Sequence, residues 1–348
     1  MPTYFVLDVL EHLKKSQTGQ VFLTPKKSPF GKLLSEEGKM HPTIKLPDGL
    51  VVIERGWLSA NGIFLWSDDE SVLIDSGYHS HRQLTASLIK HELAQYGHSR
   101  LHKLVNTHLH SDHCGGNRIL QDLYHPKTYI PLAEATAVTD WNEDLLTYRA
   151  TGQECEPFKF DELLIPGQFV TLGWLEWKIL GAPGHDPHSI MLFNEKDSIL
   201  ISADALWENG FGVVFPELIG ESGFSEIAST LDLIDDLKPK IIIPGHGRPF
   251  ADIETSLRTA RSKLAYLSSD PKRNAEHAAK VLLKYKLLEW QSIEIGKAVE
   301  WIKSTPLMTT IGKQLGREID ALADWLPPAL CKTGGAIIHQ NMIANAEK

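Results

Sequence analysis

From Thr107 to Cys114 the chain reads Thr-His-Leu-His-Ser-Asp-His-Cys, which crowds His108, His110, Asp112 and His113 into one short stretch. Three later positions repeat the same residue types singly: His185 in Ala-Pro-Gly-His-Asp, Asp204 in Ile-Ser-Ala-Asp, and His246 in Ile-Pro-Gly-His-Gly. Asp75, in Leu-Ile-Asp-Ser-Gly, stands earlier. Imidazole nitrogens and carboxylate oxygens are the donors that suit zinc, iron or manganese. In an extended segment residues two apart point to the same side, so His108 and His110 can grip one ion. Asp112 and His113 follow on the turning loop and can face a second. The glycines beside His185 and His246 let the backbone turn sharply and leave each ring free to enter a cleft. Even with 16 histidines in 348 residues, the number of His-x-His-x-Asp-His strings expected by chance is roughly 0.002. Chance is set aside, and a metal site is the reading that remains.

The elements that must position these donors are legible around them. Leu50–Glu54, Gly62–Trp66 and Ser71–Asp75 read as successive strands, and His81–Gln95 as a helix ended by Gly97. His102–Asn106 is a short apolar strand running straight into the histidine-rich loop. Thr128–Pro131 reads as a strand, Ala133–Asp140 as a short helix, and 141–160 as an inserted irregular loop. Phe169–Leu180, Ser189–Phe193, Ser198–Ser202 and Lys240–Ile243 read as strands, with a helix over Ser225–Leu237. Strands in groups with helices between them predict a layered α/β domain over 49–252. Residues 1–48 read as an N-terminal extension with a short helix over Tyr4–Lys15. Residues 253–348 read as a helical C-terminal segment, with helices over Ile253–Leu267, Arg273–Glu289, 291–304 and 308–325. In the second of these Ala278, Leu282, Tyr285 and Leu288 share a face, read as core.

Composition narrows the class. Apolar content of 42% and charged content of 23% fit a globular chain and exclude wholesale disorder. A formal charge of −9 gives no general drive towards nucleic acid or anionic membrane. Three widely spaced cysteines do not make a disulfide framework and fit a reducing compartment. The first residues lack a basic region, Asp8 and Glu11 interrupt their apolar stretch, and no apolar run approaches the ~20 residues that span a bilayer. The expectation is a cytoplasmic protein with a small-molecule substrate, no nucleic-acid or membrane partner, and homo-oligomerisation left open.

Taken together, the motifs resemble the metallo-β-lactamase superfamily of hydrolases over roughly residues 50–250. The resemblance implies a four-layer αββα sandwich with metals at one edge, followed here by the helical C-terminal segment. It implies that His108, His110 and His185 hold one ion, that Asp112, His113 and His246 hold a second, and that Asp204 bridges both. Asp75 matches an acidic residue that orients a ligand from behind, and His188 is a candidate for a similar supporting or substrate-facing place. The cofactor expected is a pair of divalent ions, zinc first, with iron or manganese as alternatives. Two such ions about 3.5–4 Å apart can share a water and lower its pKa, and the bridging hydroxide then attacks a carbonyl or phosphoryl centre. Asp112 is the catalytic candidate that passes a proton to the leaving group.

Branches of the superfamily can be ranked. No signal peptide is read, against a secreted lactamase. The second motif position is His110, not the glutamate of flavin-linked di-iron reductases. The acidic charge disfavours the RNA-processing nucleases. A small ester or thioester is expected, with lactonase and phosphodiesterase or nuclease activity as alternatives, and a metal-containing regulatory binding protein as the non-enzyme alternative. Where many relatives carry Gly-His-Thr, this chain has Gly-His-Asp-Pro-His-Ser. Cys114 is read as a small packed residue, Trp207 as core before substrate contact, and His79, His81, His91, His98 and His102 as solvated or capping.

Overall fold

The computed structural model describes residues 44–346 and two short strands, Lys14–Lys15 (β1) and Val21–Phe22 (β2). The helix expected over Tyr4–Lys15 lies outside the described residues except at Lys14 and Lys15, which pair as strand with Phe22 and Val21.

In Leu50–Ile53 (β3) every side chain is buried, Leu50 and Val52 in one core and Val51 and Ile53 in another. Gly62–Trp66 (β4) and Ser71–Ile74 (β5) repeat this split: Ile63, Leu65, Val72 and Ile74 turn one way, Phe64 and Leu73 the other. A strand apolar on both faces needs a covering layer on each side. With β1, β2, Lys103–Val105 (β6), Lys127–Pro131 (β7) and Glu162–Leu164 (β8) these strands form an eight-stranded sheet in sequential order. Its pairing is antiparallel from β3 to β5 and parallel from β5 to β8.

The second sheet has five strands: Phe169–Leu172 (β9), Leu175–Gly181 (β10), Ile190–Asn194 (β11), Ile199–Ala203 (β12) and Ile241–Pro244 (β13). It is antiparallel except between β12 and β13. Its inner face places Trp177, Ile179, Leu192, Ile201 and Ile243 against the inner face of the first sheet. Helix α1 (Arg82–Gln95) covers the first sheet from outside. The short α2 (Ser111–Cys114) follows the ligand loop, and α3 (Asn117–Tyr124) packs beside α1. Two brief helices, α4 (Ala135–Thr139) and α5 (Tyr148–Thr151), lie in the stretch from the expected short helix into the expected irregular loop. The second sheet is covered by α6 (Phe224–Leu237) and α7 (Ile253–Ser268), whose Ile227, Leu231, Leu257 and Leu264 meet Met191, Leu200 and Ile242. The layer order is αββα.

Beyond α7 the helices α8 (Pro271–Trp290), α9 (Ile295–Ser304), α10 (Pro306–Leu315) and α11 (Ile319–Lys332) build a core of their own. Asp270 caps α8 by accepting from the Lys272 N–H, with Pro271 in the first turn. Ala275, Ala278, Ala279, Leu282, Leu283 and Leu287 face that core, which also takes in Val213 and Leu218.

Three expectations are corrected. The run Phe169–Leu180 is a hairpin, turning at Gly173, whose φ of +64° admits the reversal. The helix expected over 308–325 is two helices, parted at Gly316 with φ +67°. The chain end is not purely helical: Ser292–Glu294 (β14), Ala336–His339 (β15) and Met342–Asn345 (β16) form a third sheet, in which β15 and β16 make a hairpin and β14 pairs with β16. Among the described residues no helix is long and apolar enough to cross a membrane.

Strand ends fix where the donors emerge. Asp75 follows β5, the histidine-rich loop follows β6, His185 follows β10, Asp204 follows β12 and His246 follows β13. The parallel registers Ile74↔Val105 and Ala203↔Pro244 set these ends side by side. Asn61 ties the two sheets together there. Its backbone N–H donates to Gly245 O at 2.7 Å, and its side-chain amide donates to Pro244 O at 3.0 Å and Gly247 O at 2.6 Å.

Candidate metal centre

All seven donors expected as ligands converge at this edge, in two groups: His108, His110 and His185, then Asp112, His113, Asp204 and His246. In the first, His110 Nδ1 lies 3.1 Å from His108 Nε2 and 2.8 Å from His185 Nε2. In the second, His246 Nε2 lies 3.0 Å from Asp112 Oδ2, and His113 Nε2 lies 3.4 Å from Asp204 Oδ1. Asp204 spans the gap, with Oδ2 at 3.5 Å from His185 Nε2 and 3.8 Å from His246 Nε2.

Each of four rings is held by its outer nitrogen, which leaves the inner one aimed at the centre. His185 Nδ1 donates to Val213 O at 2.5 Å, and His246 Nδ1 to Gly56 O at 3.2 Å. His113 Nδ1 donates to Asp75 Oδ2 at 2.8 Å, and His108 Nδ1 lies 3.2 Å from Thr107 Oγ1. Anchoring one nitrogen to an oxygen fixes the tautomer and orients the other, as metal-ligating imidazoles require. Asp75 adopts φ +58°, uncommon for a non-glycine residue. There its carboxylate also accepts from the Thr107 N–H at 2.9 Å and the Thr107 hydroxyl at 2.8 Å. Asp75, expected in a supporting place, is in contact with His113.

Two glycines leave room for the donors. A Cβ on Gly245 would collide with Asp204 Oδ1 and come within 2.9 Å of His113 Cε1, and one on Gly212 would enter the His185 ring.

The donor set suits divalent cations. Burial, then mutual repulsion, pushes His108 and His185 down, His185 to about 4, and burial also lowers His110, so these three rings are neutral with lone pairs to offer. Burial opposes ionisation of Asp204, yet His246 and His113 outweigh it and hold the carboxyl well below its usual range. Burial opposes ionisation of Asp112 as well, but the hydrogen bond from His246 together with the charges of His113 and His246 lowers it. Burial disfavours charge on His113 too, but Asp75 and Asp204 raise it. His113 Nε2 is nonetheless buried without a well-formed hydrogen bond. Inward-facing neutral imidazoles, ionised carboxylates and an orphaned nitrogen are what two cations would satisfy.

Other residues sit differently. Cys114 Sγ turns away from the centre to Tyr148 Oη at 3.1 Å and Cys155 Sγ at 3.8 Å, in a small apolar cluster. His188 Nδ1 lies 3.1 Å from Glu134 Oε1. Trp207, read as core, instead donates its indole N–H to Asp204 Oδ1 at 3.1 Å and stands edge-on to His246. Sequence reasoning missed Trp57, Phe215, Glu134, Asp186 and Tyr285. Phe215 lies 5.3 Å from the His110 ring and 5.6 Å from that of His185. Tyr285, on α8, stands edge-on to Tyr78 at 5.2 Å, and burial followed by the charge of Asp112 raises its pKa. Tyr78 donates to Glu289 Oε2 at 3.2 Å, so α8 reaches the loops of the centre. Only Asp186, next to His185, carried a signal in the sequence.

Residues 55–246 match the family model of the metallo-beta-lactamase superfamily. The chain is 26% identical over 201 residues to a probable metallo-hydrolase, YqgX, of Bacillus subtilis (strain 168), covering 58% of this chain and 90% of that protein. It is 28% identical over 160 residues to a hydroxyacylglutathione hydrolase of Francisella tularensis subsp. novicida (strain U112), covering 45% of this chain and 54% of that one. A crystal structure of a metallo-beta-lactamase family protein from Thermus thermophilus is similar in fold, with TM-score 0.51, 16% identity, and 85% and 97% of the two chains covered.

Proposed function

Because the chain belongs to the metallo-beta-lactamase superfamily of metallo-hydrolases, we propose that it is a two-metal hydrolase acting on a small ester or thioester. One observation carries this reading: the Asp204 carboxylate stands between two donor groups, one oxygen towards His113 and the other towards His185 and His246.

His108, His110 and His185 would hold one ion and Asp112, His113 and His246 the other, with Asp204 shared. When bound, divalent ions supply Lewis acidity to a substrate oxygen and bring the pKa of a water towards neutrality, and zinc, iron and manganese all suit these donors. Trp207 fixes the rotamer of Asp204 through its indole N–H. Asp75 fixes the ring of His113. Asp112, the least buried donor with 13% of its side chain exposed, would take a proton and pass it to the leaving group. Phe215 supplies an apolar ring beside His110 and His185. The similarity to a hydroxyacylglutathione hydrolase supports a thioester. Three free cysteines, among them Cys114 and Cys155 in contact but not disulfide-bonded, support a cytoplasmic setting.

Elemental analysis beside a panel of thioesters, esters, lactones and a phosphodiester tests the proposal. It expects about two ions per chain and chelator-sensitive turnover of thioesters or esters. Less than one ion per chain, with His108→Ala leaving the content unchanged, overturns it.

A further inference from the structure

Outside the two donor groups, Glu134, Asp186 and His188 bring a third set of ligating atoms within 4.8 Å of one another. Glu134 follows β7, and the other two lie on the turn between β10 and β11. His188 Nδ1 is 3.1 Å from Glu134 Oε1, close to the 3.0 Å between His246 and Asp112 in the catalytic set. The His188 N–H donates to Asp186 Oδ1 at 2.7 Å, which folds the turn so that both side chains approach one point.

The arrangement is short of positive charge. Glu134 is 4% exposed and Asp186 7%, and among the described residues no lysine or arginine forms an ion pair with either. Glu134 Oε2 is buried with no hydrogen-bond partner. Leaving a buried carboxylate oxygen unsatisfied is costly, and a cation between the two carboxylates removes that cost. His188 has 41% of its side chain exposed, so solvent reaches the cluster on that side.

We propose that Glu134, Asp186 and His188 form a third divalent-cation site, separate from the two catalytic donor groups and exchangeable with solvent. One imidazole and two carboxylates suit Zn2+ or Mn2+, and three protein donors leave positions open to water. Three donors, one of them half-exposed, hold an ion less tightly than the buried catalytic set. Asp186 Oδ2 is also 3.6 Å from His110 Nε2, so occupancy bears on the orientation of that ring.

The test is titration of chelator-stripped full-length protein with Zn2+ alone, against a fluorescent zinc indicator. Wild type is expected to show the tight sites and one weaker site. Glu134→Gln and His188→Ala are each expected to weaken only the latter, by about tenfold or more. His188→Ala removes a half-exposed side chain, and thermal melts check that both variants fold. Absence of a weaker site, or one unmoved by either variant, overturns the proposal. Loss of the tight sites in both variants also overturns it, because the cluster then serves only to buttress His110. A weaker site that depends on Glu134 in a protein lacking two tight sites upholds this proposal and defeats the two-metal reading.

Discussion

Trp57 lies face to face with His246, ring centres 5.6 Å apart and planes within 9°, while 55% of its surface is open to solvent. Trp207 stands edge-on to it at 5.2 Å. An exposed indole beside a candidate ligand is a wall for an apolar or planar part of the substrate. Trp57→Ala is expected to raise KM about tenfold, the effect of ~1.4 kcal/mol of lost contact, with kcat little changed. Steady-state kinetics on the best substrate of the panel decide this, and an unchanged KM removes Trp57 from the substrate's path.

Asp75 holds Thr107 and His113 together with three hydrogen bonds. Asp75→Ala strands those donors in the interior, at a cost of about 3–5 kcal/mol in stability for breaking a buried charged pair. It also frees the His113 ring, and Zn2+ affinity should fall about 10–100-fold. Thermal denaturation and indicator competition measure the two effects separately. Native-like metal affinity in a folded Asp75→Ala protein contradicts the orienting role.

Gly245→Ala puts a methyl group onto Asp204 Oδ1 and His113 Cε1. The expected result is a protein that keeps its far-ultraviolet circular dichroism but loses ions from the second donor group, since the shared carboxylate must rotate away. Gly296 faces open space, so Gly296→Ala is the matched control. Equal metal content in the two variants counts against the packing argument.

His277 and His81 are held neutral, each pushed down to about 4 from an ordinary 6.5, by burial foremost and then by neighbouring cations: Lys263 and Lys280 for His277, Arg55 for His81. Both folded values lie below the unfolded one, so between about 4 and 6.5 the unfolded chain binds more protons. This contribution to stability is full above pH 6.5 and is lost as pH falls towards 4. Melts of chelator-treated protein across that window should show a falling Tm, with a shallower slope in His277→Gln. An identical slope rules out His277 as a source.

The donors were legible because ligand chemistry restricts residue type and because they sit where apolar strands stop, as Asp204 and His246 illustrate. The layered α/β class was legible in groups of strands with helices between them, while the αββα order came from the resemblance of the motifs to the superfamily. Features that depend on convergence were not legible. Glu134 is one acidic residue among 44 Asp and Glu until folding sets it against His188. Trp57 looks like any core aromatic until its exposure is seen. Gly173 and Gly316 break apolar runs whose periodicity continues on either side, so a turn hides inside what reads as one element. The terminal sheet pairs β16 with β14, which lies before three intervening helices, a separation no local pattern spans.

The candidate ligands are strung from His108 to His246, and Asn61 closes the edge by bonding to Pro244, Gly245 and Gly247. During synthesis a ribosome must therefore pass His246 before the full donor set exists. The His108–His113 segment emerges well before its partners His185, Asp204 and His246. The complete donor set therefore exists only once both sheets have met across Asn61, so whatever parts that edge scatters the two donor groups together.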